Sequence, residues 1–131
     1  MASIHREFGV AVPADVAWDA FRDVGAVHTR LARQYVVDTR LEGDSRVVTF
    51  ANGMVARERI VDVDDARRRL AYAVVESPQL TYHHASFEVV PDGDQKSRII
   101  WITDLLPDSM AEQITAMVDG GCDAIKKTLT R

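Results

Sequence analysis

The chain lacks most of the features that would name a function outright. It has a single cysteine, Cys122, so no internal disulfide can form. Its four histidines and lone cysteine never fall at metal-ligand spacing, so no metal site is expected. His83 and His84 are adjacent, and adjacent residues of a strand point to opposite faces, so they cannot chelate one ion together. Positive charge is not in excess. The net charge of -4 argues against a nucleic-acid partner, which needs a basic face to neutralise phosphate. The one basic run, Arg67-Arg68-Arg69, stands beside Asp62, Asp64 and Asp65 and reads as a solvated turn. No apolar stretch approaches the roughly 18 residues of a membrane span. The opening Met1-Ala2-Ser3-Ile4-His5-Arg6-Glu7 lacks the apolar run of a signal peptide, so a cytoplasmic protein is the default expectation. No nucleophile elbow, phosphate loop or dinucleotide fingerprint occurs, and no cofactor is implied. Repeats, linkers and low-complexity segments are absent as well.

What is present is an ordered series of elements. A length of 131 residues suits one domain, and a hydrophobic fraction of 47 % is enough for one core. Residues 4–12 read as a strand carrying Phe8, Val10 and Val12. Pro13 fits the first turn of a helix, with Asp15 complementing its dipole. Val16, Ala20, Phe21 and Val24 recur at helical spacing, and Trp18 falls to the flank. Gly25 breaks that helix, and a second short one covers residues 27–33. Strands at 35–41, 46–50, 54–63, 70–76, 82–90 and 98–106 follow, separated by short turns that include Asn52-Gly53. Links this short make successive strands antiparallel neighbours. After Pro107, Ser109 and Glu112 have the spacing of a capping box. Met110, Ile114, Met117, Gly121, Ile125 and Leu129 then mark one face of a final helix. The expected fold is α+β: a curved seven-stranded antiparallel sheet wrapped around a long C-terminal helix, with two short helices after strand 1.

Such a sheet and helix can enclose a hollow, and alternation sorts which side chains face it. Glu88 marks the outer face of its strand, which sends His83, Ala85, Phe87 and Val89 inward. Arg69 does the same for Leu70, Tyr72 and Val74. Arg98 and Asp104 leave Ile99, Trp101, Thr103 and Leu105 inside. On residues 54–63, two inward arginines would need two partners and one inward carboxylate only one. Glu58 is therefore expected inward with Met54, Ala56 and Ile60. No arginine is placed on an inner face. Gly120-Gly121 costs the helix roughly 1 kcal/mol per glycine relative to alanine. Either the pair permits close packing on the sheet, or it leaves room for a ligand.

Several stretches resemble one superfamily. Pro13-Ala14-Asp15-Val16-Ala17-Trp18 resembles its entry into the first helix. Glu58-Arg59-Ile60-Val61-Asp62-Val63-Asp64-Asp65 with Arg69-Leu70-Ala71-Tyr72 resembles its fourth and fifth strands. Ser97-Arg98-Ile99-Ile100-Trp101, ending at Leu106-Pro107, resembles its last strand and exit. Together they resemble the START-like (SRPBCC) superfamily, which includes the polyketide cyclase/dehydrase family, over nearly the whole chain. The resemblance implies a single helix-grip domain over residues 1–131, with Glu58 facing a pocket.

The preferred reading is a binding module for a hydrophobic or aromatic small molecule, such as a lipid, polyketide or aromatic metabolite. Met54, Phe87, Trp101, Ile114 and Met117 would supply apolar wall, and Gly121 would leave space. Glu58, Tyr72 and His83 would orient a polar group on the ligand, and Tyr35 and Thr103 are further ligand-binding candidates. The alternative is a polyketide cyclase/dehydrase-type enzyme, with His83 and Glu58 as its acid and base. A further alternative is a protein-interaction module with a filled core. No catalytic residue is assigned beyond the candidates His83 and Glu58. Cys122 has no visible base and reads as inert packing. No exposed apolar stripe fixes an oligomeric state.

Overall fold

The computed structural model describes residues 1–130. Strand β1 (Ala2–Val10) leads into helix α1 (Ala14–Arg22) and a single π-helical turn at Val27–Leu31. Six strands follow: β2 (Val36–Glu42), β3 (Ser45–Phe50), β4 (Val55–Asp64), β5 (Arg69–Val75), β6 (Tyr82–Pro91) and β7 (Ser97–Leu106). A 3-10 turn at Asp108–Met110 runs into helix α2 (Ala111–Leu129). The sheet order is β1-β7-β6-β5-β4-β3-β2, and every neighbouring pair is antiparallel. The expected seven-stranded helix-grip architecture is therefore present. Among the described residues no helix is long and apolar enough to cross a membrane.

Curvature has a local cause. The ladder slips by one residue between Val36 and Asp38, and again between Ile60 and Asp62. An extra residue in one strand bends it and deepens its twist. The residues within the slips, Val37 and Val61, are more than half exposed, so the bends cost two valines their burial.

Three expectations at the helices need correction. Helix α1 buries Ala14, Ala17, Trp18, Ala20 and Phe21, whereas Val16 is 54 % exposed. Trp18 is held inward because its indole N–H donates to Asp65 Oδ1 at 2.9 Å, and Arg22 Nε donates to the same oxygen. Pro13 caps α1 from just outside rather than lying in its first turn. The Ser109/Glu112 capping box does not form, because the 3-10 turn intervenes and Met110 becomes the N-cap without a side-chain bond.

The core is asymmetric along α2. Ala124, Ile125 and Leu129 join Phe21, Leu70, Phe87 and Ile99 in the main cluster, and Val118 and Cys122 pack with Ile4 and Leu105. Nearer the start of the helix, Met110, Ile114 and Met117 are only half-buried. The crossover between the two regimes lies at the paired glycines. A Cβ on Gly120 would sit 2.8 Å from the Tyr35 ring, and one on Gly121 would sit 2.9 Å from the Trp101 ring. Real Cβ atoms do not approach ring carbons so closely. The glycines thus permit close packing, which decides between the two explanations of their presence. Tyr35 also donates its hydroxyl to the Met117 carbonyl at 2.7 Å.

Gly121→Ala is expected to lower stability by about 1–3 kcal/mol through overpacking, although alanine elsewhere in a helix gains about 1 kcal/mol. Urea unfolding measures this, and Trp101→Phe in the same chain should recover part of the loss. A stabilised single variant would contradict the contact.

Candidate functional site

The half-open end of α2 faces a splay in the sheet. Strands β5 and β6 pair only from Arg69/Glu88 to Tyr72/Ala85. Beyond that point β5 stays with β4 while β6 stays with β7. The Val74 N–H, left without a strand partner on that side, donates instead to His83 Nδ1 at 3.0 Å.

A cavity of about 370 Å³ occupies the space between this region and α2. That volume falls within the range of small-molecule sites, about 300–1,000 Å³. Glu58, Tyr72, Val74, His83, Trp101 and Thr103 line it from the sheet, and Met110, Ile114, Met117 and Val118 line it from the helix side. Phe50, Met54 and the Glu76–Leu80 connection contribute as well. Arg40 and Arg57 also border the space, but both are engaged in exposed ion pairs. Arg40 meets Glu42 at 2.6 Å, and Arg57 meets Glu42 at 2.6 Å and Glu76 at 2.9 Å.

The expected residues therefore divide. Met54, Glu58, Tyr72, His83, Trp101, Thr103, Ile114 and Met117 are brought together around one space. Tyr35, Phe87 and Gly121 are not among its lining. Tyr35 is spent as a prop under Gly120 and Met117. Phe87 lies behind the wall, 4.4 Å from Trp101, 4.9 Å from Phe21 and 5.9 Å from Tyr72 between ring centroids. Gly121 is covered by the Trp101 ring.

Arg46 corrects the expectation that no arginine faces inward. It lies opposite Glu58 across the β3–β4 ladder and is 3 % exposed. Its Nε donates to Glu58 Oε1 at 2.8 Å, its Nη1 reaches the Val24 carbonyl, and its guanidinium lies 5.3 Å from the centre of the Tyr72 ring. Arg46 itself does not line the cavity, whereas Glu58 does. The pair therefore turns its negative end to the open space.

Three more polar groups line the cavity with that carboxylate. Burial, followed by the nearby Glu58, pushes the Tyr72 phenol well above its usual range, so it remains a neutral hydroxyl. Trp101 Nε1 is buried without a hydrogen-bond partner. Burial, helped by His84, depresses His83 to about 4. A neutral imidazole whose Nδ1 accepts from Val74 carries its proton on Nε2. His83 and His84 do point to opposite sides, and His83 is the buried one. On α2, burial raises the Cys122 thiol to about 11, which leaves it a neutral packing group. Among the described residues no three His, Cys, Asp or Glu side chains are gathered as a metal site.

The arrangement of sheet, long helix and intervening cavity defines a helix-grip protein of the START type. The family described as polyketide cyclase / dehydrase and lipid transport matches residues 1–130, and the chain belongs to it. Three solved structures illustrate the likeness. A START superfamily protein from Mycobacterium smegmatis matches with a TM-score of 0.80 at 10 % identity, covering 97 % of this chain and 96 % of that one. Norcoclaurine synthase from Thalictrum flavum, in complex with dopamine and hydroxybenzaldehyde, matches at 0.73 with 25 % identity, covering 96 % and 84 %. The di-domain ARO/CYC BexL matches at 0.77 with 15 % identity, covering 99 % of this chain and 45 % of that one. No curated protein matches the chain significantly.

Two outcomes test the site's electrostatics. Glu58→Ala leaves Arg46 buried without its anion and is expected to cost about 3–5 kcal/mol, whereas Arg46→Met/Glu58→Leu should cost far less. Equal losses in urea unfolding would contradict the pairing. His83 is depressed from 6.5 to about 4 on folding, so the unfolded chain binds the extra proton between those values. Its contribution is complete above the unfolded value and is lost as pH falls from 6.5 toward 4, by roughly 3 kcal/mol. Protonation at Nδ1 also breaks the bond from Val74. The acid-side decline in urea midpoint should be shallower in His83→Gln than in the unaltered chain.

Proposed function

We propose that this protein binds a hydrophobic or aromatic small molecule in the cavity between the sheet and the first half of α2. The observation that carries the proposal is the convergence of Glu58, Tyr72, His83 and Thr103 on one space of about 370 Å³ whose remaining wall is largely apolar. Apolar wall of this kind contributes roughly 25 cal/mol per Å² of ligand surface removed from water. The polar groups then fix the ligand's orientation. The open space favours this reading over an interaction module with a filled core.

An enzyme of the cyclase/dehydrase type is the second reading, supported by the family and by the likeness to an ARO/CYC and to norcoclaurine synthase. The state of His83 weighs against it. A general base needs a free lone pair, and the one on Nδ1 is already taken by the Val74 N–H. A general acid at neutral pH needs a proton to give readily, and a histidine depressed to about 4 is not the protonated cation there. His83 is thus suited to donate a hydrogen bond from Nε2 rather than to move a proton. Glu58 Oε2 is the one candidate base left for that reading.

Decanol and naphthol, spanning aliphatic and aromatic occupants, test the proposal by thermal shift. A ligand present at 100 times its dissociation constant stabilises the native state by about 2.7 kcal/mol. Ile114→Trp, which projects a larger ring into the cavity, should abolish the shift while leaving the fold cooperative. No shift with either compound, or a shift that Ile114→Trp leaves unchanged, would defeat the proposal.

A further inference from the structure

The cavity's polar groups are unequal in what they can accept. Glu58 is the buried anion at the lining, and its countercharge lies behind it. Arg46 is committed to Glu58 Oε1, the Val24 carbonyl and the face of Tyr72, and does not border the cavity. The lining arginines, Arg40 and Arg57, are held by Glu42 and Glu76. A ligand carboxylate seated among the deep polar groups therefore meets Glu58 without a free cation to balance it.

The donors are equally well defined. His83 Nδ1 is occupied, so Nε2–H is what it offers a ligand. Tyr72 lines the same space and remains a neutral hydroxyl, so its O–H is a donor it can offer a ligand. These groups sit on adjacent strands, with the Tyr72 and His83 rings 5.8 Å apart between centroids. Tyr72 is near enough to Glu58 to feel its charge. One acceptor carrying charge and two neutral donors thus face one space.

Resting on the binding reading, we infer that the cavity selects an uncharged hydroxy-carbonyl ligand over one with a carboxylate head. The ligand's hydroxyl donates to Glu58, and its carbonyl accepts from Tyr72 and His83. The apolar body lies along Trp101, Ile114 and Met117. A ligand with only a hydroxyl satisfies the acceptor and leaves both donors unmatched, so it binds more weakly than the hydroxy-ketone.

The test uses a hydroxynaphthyl methyl ketone with its substituents on different rings. Its comparator is the hydroxynaphthoate in which carboxylate replaces the acetyl group. Dissociation constants come from tryptophan fluorescence at neutral pH with the full chain. The ketone is expected to bind at least about tenfold more tightly than the carboxylate. Tyr72→Phe should weaken the ketone about tenfold. Arg46→Met/Glu58→Gln removes both buried charges together, so that no lone cation burdens folding. It should shrink the discrimination to less than about threefold. Equal or tighter binding of the carboxylate by the unaltered chain overturns this inference and leaves the binding reading standing. Failure of both compounds, and of decanol and naphthol, overturns both.

Discussion

Everything at the candidate site depends on the contact between two aromatic rings and two glycines. Trp101 rises from β7 and Tyr35 from the start of β2, and both meet α2 at Gly120 and Gly121. A side chain at either glycine would push the helix away or displace a ring. The rings act beside the contacts that Val118 and Cys122 make with Ile4 and Leu105 on the sheet. The contact also works through a hydrogen bond, since Tyr35 fixes the Met117 carbonyl one turn before Gly121. The helix is thus set on props at its middle. The last turns beyond the props pack into the main core, and the first turns before them overhang a space.

The polar character of that space has a different origin, in the sheet. Where β5 and β6 separate, backbone groups lose their ladder partners. An unpaired buried N–H costs as much as a lost hydrogen bond, so the gap must be filled. His83 fills it by accepting from Val74, which fixes the tautomer of the imidazole and helps keep it neutral. One structural repair therefore decides what the histidine presents to a ligand. Arg46 has a comparable effect on Glu58. It holds Glu58 Oε1, while the Glu58 side chain borders the cavity. In both cases a group acquires its chemical role from the neighbour that satisfies its other half.

Much of this was legible in the sequence because strand alternation is unforgiving. Glu88, Arg69, Arg98 and Asp104 each mark an outer face, and that alone orders Tyr72, His83, Phe87, Trp101 and Thr103 inward. Alternation does not say which inward residue meets a ligand and which meets another side chain. Phe87 is inward yet behind the wall, and Tyr35 is half-buried yet consumed as a prop. Arg46 was hidden for a sharper reason. A two-residue turn at Asn52-Gly53 would place Arg46 opposite Arg59, with no partner for an inward guanidinium. The actual loop runs from Phe50 to Met54, with the Gly53 N–H donating to the Phe50 carbonyl, and it sets Arg46 opposite Glu58. One residue of register separates an arginine without a partner from a buried pair. The same preference for one inward carboxylate that picked out Glu58 also implied a cation to meet it, and β3 was where to look.

At α1 the periodicity of apolar residues misled for a related reason. Val16 fits the helical stripe but is exposed, while Trp18 falls off the stripe and is buried. A tryptophan can cover more apolar area than a valine, and its N–H finds Asp65 at the β4–β5 turn. Size and a satisfied polar atom outweigh position on the wheel. The cavity reverses that logic at Trp101, whose ring is packed against Phe87 and Gly121 while its N–H has no partner. Trp18 is finished as a structural residue and Trp101 is not. A buried donor left unmatched in the free protein is worth more once something orients the hydroxyl beside it. The cavity is the place from which a ligand can do so, by accepting a hydrogen bond from the Tyr72 O–H.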